Sequence, residues 1–197
     1  LDAPELIEQL GGYIISGTAL PGVLLNQIAD TKNETYPYLL TLLKNYDGEK
    51  SADIKHAIVR LIEEMDMPHP YDYYIKVVSC ADEKDDFIES AANELKNSGE
   101  KYVEEMIAEF EDARNAYVSD CFLDILCDIS FDKRIFQFAL DKFLYGDSGR
   151  AFYASCLGKL GYNDALPYLE QSMRENNIGF YEYTAIKNAV EELGGEV

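Results

Sequence analysis

A small residue followed four positions later by an aliphatic one recurs five times along this chain. The pairs are Ala57/Leu61, Ala91/Leu95, Cys121/Ile125, Cys156/Leu160 and Ala189/Leu193, spaced 34, 30, 35 and 33 residues apart. Between them runs a second track of large residues, Tyr38, Tyr71, Tyr102, Ile135 and Tyr168, at separations of 33, 31, 33 and 33. A period near 33 with two helical segments per period is the pattern of stacked helix pairs, in which each pair buries its apolar face against the next. The small residue lets neighbouring helices approach and the aliphatic one fills the core between repeats. Apolar alternation at period two never persists, so no strand competes.

The segments follow in order. PELIEQLGGYIISG (4–17) reads as a helix weakened by Gly11 and Gly12, and Pro21-Gly22 opens a second short helix to about Ala29. From residue 33 the pairs are regular. ETYPYLLTLLKNY places Tyr36, Leu39, Leu40 and Leu43 on one face, and SADIKHAIVRLIEEM places Ile54, Ala57, Ile58, Leu61 and Met65 inward. HPYDYYIKVVSC precedes DDFIESAANELKNSG, EKYVEEMIAEFED precedes AYVSDCFLDILCDI, and FDKRIFQFALDKFLYG leads into the last stretch.

That stretch, Ser148–Glu196, reads as helix, tight turn, helix, turn, helix. Gly161 and Gly194 stand where helix C-caps need positive φ. Asn163 or Asp164 can cap the next helix, with Pro167 in its first turn. The run LGKLGYNDALPYLEQ, with the 33-residue period over residues 33–195, resembles the HEAT-like repeat family. The resemblance implies an all-α, right-handed α-α superhelix of about five helix pairs plus an N-terminal cap pair. It is then one domain over residues 1–197, with 1–32 as cap and 33–197 as repeats. It names an architecture, not an activity, because HEAT-like proteins do unrelated things.

Three HEAT-like activities make different demands on the residues. Iron-binding members use repeated His-Glu pairs, but His56 precedes Ala57 and His69 precedes Pro70, and two isolated histidines do not build that site. DNA glycosylases of this type need a basic groove. Here 17 Lys and Arg face 37 Asp and Glu, a net charge of −20, which disfavours nucleic acid and anionic membrane surfaces alike. A HEAT-like chromophore lyase has no local motif to check and stays as an alternative. The acidic run Asp82-Glu83-Lys84-Asp85-Asp86 lacks the mid-loop Gly and the spacing of an EF-hand and reads as a helix N-terminus. No cofactor is expected. The four cysteines (Cys80, Cys121, Cys127, Cys156) lack metal-ligand spacing and are expected as reduced core residues. No stretch reaches the roughly 20 apolar residues that span a bilayer. The chain begins at Leu1, which would fit a trimmed leader; the cytoplasm is the default location.

Surface chemistry remains. Between Asp82 and Asp128 stand 15 acids against four bases, so this span holds −11 of the net −20. Glu104, Glu105 and Glu109 lie along one helix, where like charges a turn apart cost a few tenths of a kcal/mol. There are 15 tyrosines and no Trp. Tyr71, Tyr74 and Tyr181 are candidate partner contacts, since Tyr adds contact area at low entropy cost; the alternative is that tyrosines fill gaps between repeats. The expectation is a non-catalytic protein-interaction module or scaffold for a protein partner, a basic one by charge. An acidic immunity-type protein that neutralises a basic toxin is the alternative. Oligomeric state is left open.

Overall fold

In a computed structural model of the chain, residues 3–16, 18, 21–48, 50–146, 149–175 and 178–196 are described, with only the backbone of residues 3, 4, 7, 14 and 15. Among the described residues there is no strand, and the fold is all-α. The helices are α1 (Ala3–Ser16), α2 (Gly22–Asp30), α3 (Lys32–Asn45), α4 (Ser51–Glu64), α5 (Tyr71–Ser79), α6 (Asp86–Leu95), α7 (Val103–Glu111), α8 (Ala116–Ile129), α9 (Lys133–Tyr145), α10 (Arg150–Leu160), α11 (Leu166–Met173) and α12 (Phe180–Glu192). They fall into two compact units, residues 1–95 and 96–197.

Side-chain caps set three of the helix starts. Asp85, Asn115 and Asp132 accept the backbone N–H of Ile88, Val118 and Arg134 at 2.7, 2.9 and 2.7 Å, which satisfies donors that the first turns of α6, α8 and α9 leave open. The acidic run before α6 is thus a helix entry, with Asp85 as its cap. Gly161 ends α10 at φ 72°, and Gly194 follows α12 at φ 77°. The expected cap at Asn163 or Asp164 is not made: residues 163–165 form a 3₁₀ turn that runs straight into α11, so no extended residue stands where a side-chain cap would act. Gly11 and Gly12 do not interrupt α1.

In the first unit α3 packs on α4, α5 on α6, and α4 on α6, with α1 against α2, α3 and α4. In the second, α7 packs on α8, α9 on α10 and α11 on α12, while α10 also packs on α8 and α12. Each sequence pair is therefore a packed pair, and within a unit successive second helices touch. The aliphatic track explains this contact. Leu61, Leu95, Ile125, Leu160 and Leu193 are all buried, and each removes apolar area from water worth about 1.5–3 kcal/mol. Gly158 lets α10 and α12 close: a Cβ there would stand 3.2 Å from the Ala189 Cα and would collide with the Glu192 carboxylate.

The second track behaves differently. Ile135 is buried, but Tyr38 and Tyr168 are exposed and Tyr71 and Tyr102 half-buried, so these positions edge the core. In α4 the inward face is broader than its spacing predicts: Val59 and Ile62 are buried, while Ala57 and Met65 are only half so. Polar bonds repeat the period. Tyrosine hydroxyls donate from Tyr36 to the Pro68 carbonyl, Tyr73 to Leu43, Tyr153 to Asp120 and Tyr162 to Phe131, spanning 32, 30, 33 and 31 residues. Each ties one helix pair to the next at the repeat distance.

A candidate protein-interaction surface

Helix α7 buries Val103, Met106, Ile107 and Phe110, the i, i+3, i+4, i+7 stripe of an amphipathic helix. Glu104 and Glu105 are exposed on its other side, and Glu109 is half-exposed. The three expected partner-binding acids are not equivalent. Glu104 is gripped by Arg134 of α9, Nη1 to Oε2 at 3.0 Å and Nη2 to Oε1 at 2.5 Å, and Asp132 holds the same guanidinium. Those hydrogen bonds hold the Glu104 carboxyl below its usual range. Among the described residues no cation pairs with Glu105 or Glu109, one turn apart.

The acids of α8 are engaged within the fold. Lys96 Nζ lies 2.6 Å from both Asp124 Oδ2 and Asp128 Oδ2. Lys159 Nζ of α10 reaches the other oxygens, 3.1 Å from Asp124 Oδ1 and 2.8 Å from Asp128 Oδ1. Two carboxylates and two ammoniums thus form a closed square in the second unit. Partial burial pushes Asp128 up, but hydrogen bonds from Lys159 and Lys96 outweigh it and hold the carboxyl below its ordinary value. Burial pushes the lysines down, and the same bonds reverse that and raise both. One turn earlier, Asp120 accepts the Tyr153 hydroxyl at 2.8 Å; burial raises its carboxyl, against the lowering by that bond and by Lys142.

Beside α7 a groove of about 680 Å³ opens between elements of the second unit, lined by Phe110, Ala116, Phe138, Asp141, Lys142, Tyr145, Gly146 and Tyr153. Phe110 and Phe138 stack at 4.6 Å between centroids and form an apolar floor. Asp141 and Lys142 supply one charge of each sign, and Tyr145 is 80% exposed at the mouth. The sequence reading missed this groove. Its only trace was a pair of phenylalanines, Phe110 and Phe138, 28 residues apart on the first helices of successive pairs, too little to mark a cavity.

The tyrosine candidates separate. Tyr74 is fully buried, so it is a core residue and not a contact: it shares one stripe of α5 with Ile75 and Val78, and burial pushes its hydroxyl far up. Tyr71 is half-buried and stacks on His69 at 5.7 Å. Tyr181 is 81% exposed and lines a second cavity of about 350 Å³ with Phe152, Ser155 and Asn188, between α10 and α12. His69 is more than a turn residue, since its Nε2 lies 3.5 Å from Oε2 of the buried Glu94. His56 Nδ1 is 2.5 Å from Ser90 Oγ. All four cysteines are free thiols. Cys127 and Cys156 are buried, but Cys80 is exposed and Cys121 half-buried, which corrects their placement in the core: Cys80 is the residue that ends α5, past its buried stripe.

The chain matches no protein-family model, no curated protein and no solved structure. Among the described residues no helix is long and apolar enough to cross a membrane.

Proposed function

We propose that this chain is a non-catalytic protein-interaction module, a HEAT-like series of helix pairs whose second unit takes a basic partner on the α7 side. The observation that carries the reading is the contrast between neighbouring helices: Asp124 and Asp128 are neutralised inside the fold, whereas among the described residues no cation pairs with Glu105 or Glu109. Unscreened carboxylates one turn apart favour ammonium and guanidinium groups and steer them in over about 8 Å at physiological salt. Exposed aromatic surface elsewhere in the second unit, Tyr145 among it, is available to such a partner.

Hydrogen–deuterium exchange in the presence of a synthetic Lys/Arg peptide tests this. The reading expects slowed exchange centred on residues 103–111 and the neighbouring end of α9. Slowing spread evenly over the acidic surface, or centred elsewhere, contradicts it.

A further inference from the structure

The cavity of about 350 Å³ between α10 and α12 gathers polar side chains that the fold itself does not use. Its walls are carbon, the methyls of Ala151, Ala185 and Ala189 with the rings of Phe152 and Tyr181. Ser155 of α10 and Asn188 and Glu192 of α12 bring a hydroxyl, an amide and a carboxylate to the same space. Among the described residues, none of these three has a hydrogen-bond or ion-pair partner. The Thr184 hydroxyl, also in the lining, is spent on the Phe180 carbonyl at 2.8 Å.

Of the lining residues Glu192 alone is charged, and the cations nearest to the cavity in the chain are committed elsewhere. Lys159 reaches Asp124 and Asp128, Lys187 lies 3.4 Å from Glu191, and Arg150 holds Glu175 and Glu182. Helix geometry places the carboxylate. Asn188 and Glu192 stand four positions apart on one face of α12, and a helical side chain leans back over the preceding turn. Glu192 Oε2 occupies the space where a Cβ on Gly158 would stand, beside the Ala189 Cα. The carboxylate therefore lies over the seam between the two helices, one turn of α10 past Ser155.

An ammonium carries three N–H donors and no acceptor. Carboxylate, amide oxygen and hydroxyl supply acceptors of which one is charged, and charge-assisted hydrogen bonds are the strong ones. Carbon walls beside them suit the methylene stem that carries such a group.

We infer that this cavity binds a primary ammonium at the end of an unbranched aliphatic chain, with Glu192, Asn188 and Ser155 taking its donors and the alanine wall holding the chain. The group is a free alkylamine or the side chain of a lysine in another protein. No residue of α7 lines the cavity, so the site stands apart from the α7 reading and neither falls with the other.

The test titrates the full isotope-labelled chain with pentylamine, pentanol or Nα-acetyl-lysine amide and follows backbone amide shifts by NMR. Pentylamine should give saturable shifts centred on residues 155 and 188–192. Pentanol, with the same stem and no charge, should bind about tenfold more weakly. Glu192→Gln keeps the size of the side chain and should bring pentylamine down to the affinity of pentanol. Glu191→Gln changes the net charge equally at the next residue, which faces Lys187, and should leave pentylamine unchanged. That pair separates the site from general attraction to a chain of net charge −20. Equal effects of the two substitutions overturn the inference. Pentanol binding as well as pentylamine, or shifts spread over the acidic surface, overturns it too. The lysine derivative distinguishes the sources: affinity equal to that of pentylamine assigns the cavity to a lysine side chain, and much weaker binding assigns it to a free amine. Either result upholds the ammonium site.

Discussion

Helices α7 and α8 look alike in the sequence and unlike in the fold. Each carries acids at four-residue spacing, Glu105 and Glu109 on one, Asp120, Asp124 and Asp128 on the other. On α8 all three find partners: Asp124 and Asp128 take Lys96 and Lys159, and Asp120 takes the Tyr153 hydroxyl. On α7, among the described residues, Glu104 alone pairs with a cation, Arg134. The difference follows from neighbours. The second helices pack on one another, so α8 has α10 beside it and the lysine just before Leu160 falls against the aspartates. Helix α7 packs chiefly on its own partner α8, and Arg134 of α9 reaches Glu104 on it. Equal charge in a sequence is therefore used up where second helices pack on one another and not on α7.

The largest effect comes from separating α10 from α8. Leu160, 2% exposed and next in sequence to Lys159, is buried in the core of the second unit. Leu160→Ala should cost about 2–5 kcal/mol in denaturant unfolding. Tyr181→Ala, at an exposed site, should cost under about 1 kcal/mol. Equal losses would mean the helix faces are misassigned and the comparison has no basis.

Next comes the square itself. Lys159→Ala leaves two carboxylates facing one ammonium, and should cost about 1–2 kcal/mol, below the loss for a fully buried pair because about a third of each group is wet. Its signature is in pH. The folded Asp128 carboxyl lies below its unfolded value, so its contribution is whole above about pH 4, where unfolded Asp titrates, and is lost as pH falls through the lower folded value. The unaltered protein should lose stability on acidification through that window more steeply than Lys159→Ala. Parallel acid profiles would leave the square without energetic content.

Asp120 sharpens the contrast with the opposite sign. Its folded carboxyl is raised by burial, so ionisation at neutral pH costs stability and acidification relieves that cost. Asn keeps an oxygen for the Tyr153 hydroxyl. Asp120→Asn should be neutral or stabilising by up to about 1 kcal/mol at pH 7, with the gain vanishing at low pH. A clear loss at pH 7 would show that the charge itself strengthens the tyrosine bond. The smallest effect belongs to α7, where Glu105→Gln with Glu109→Gln should raise stability by only a few tenths of a kcal/mol, the like-charge strain removed.

Much of this architecture was legible. The small/aliphatic track located five buried aliphatics, and glycine and acidic punctuation located helix ends at Gly161, Gly194 and Asp85, because these depend on contacts within one helix or at one fixed period. The site was less legible. Pairing of Lys96 with Asp128, or Arg134 with Glu104, depends on which rotamers meet across a packing angle, and a 33-residue period does not fix that. Tyr74 was read as surface because three nearby tyrosines cannot share one helix face. Tyr74 joins Ile75 and Val78 on the one buried stripe of α5, and a count of tyrosines does not say which of them joins it. Tyrosine hydroxyls that span one repeat gave the abundance of tyrosine a structural use that composition alone leaves open.

The central claim is that α7, and not acidity in general, receives a basic partner. Stopped-flow association of one Lys/Arg peptide with two charge-matched variants tests it: Glu105→Lys with Glu109→Lys on α7, and Glu34→Lys with Glu63→Lys at exposed positions of the first unit. Both pairs change net charge equally, so any effect of total charge cancels. The account predicts an association rate about tenfold slower for the α7 pair than for the control pair at low salt, the gap closing as salt screens the strip. Equal slowing by both pairs would contradict it and reduce the α7 carboxylates to ordinary solvated surface.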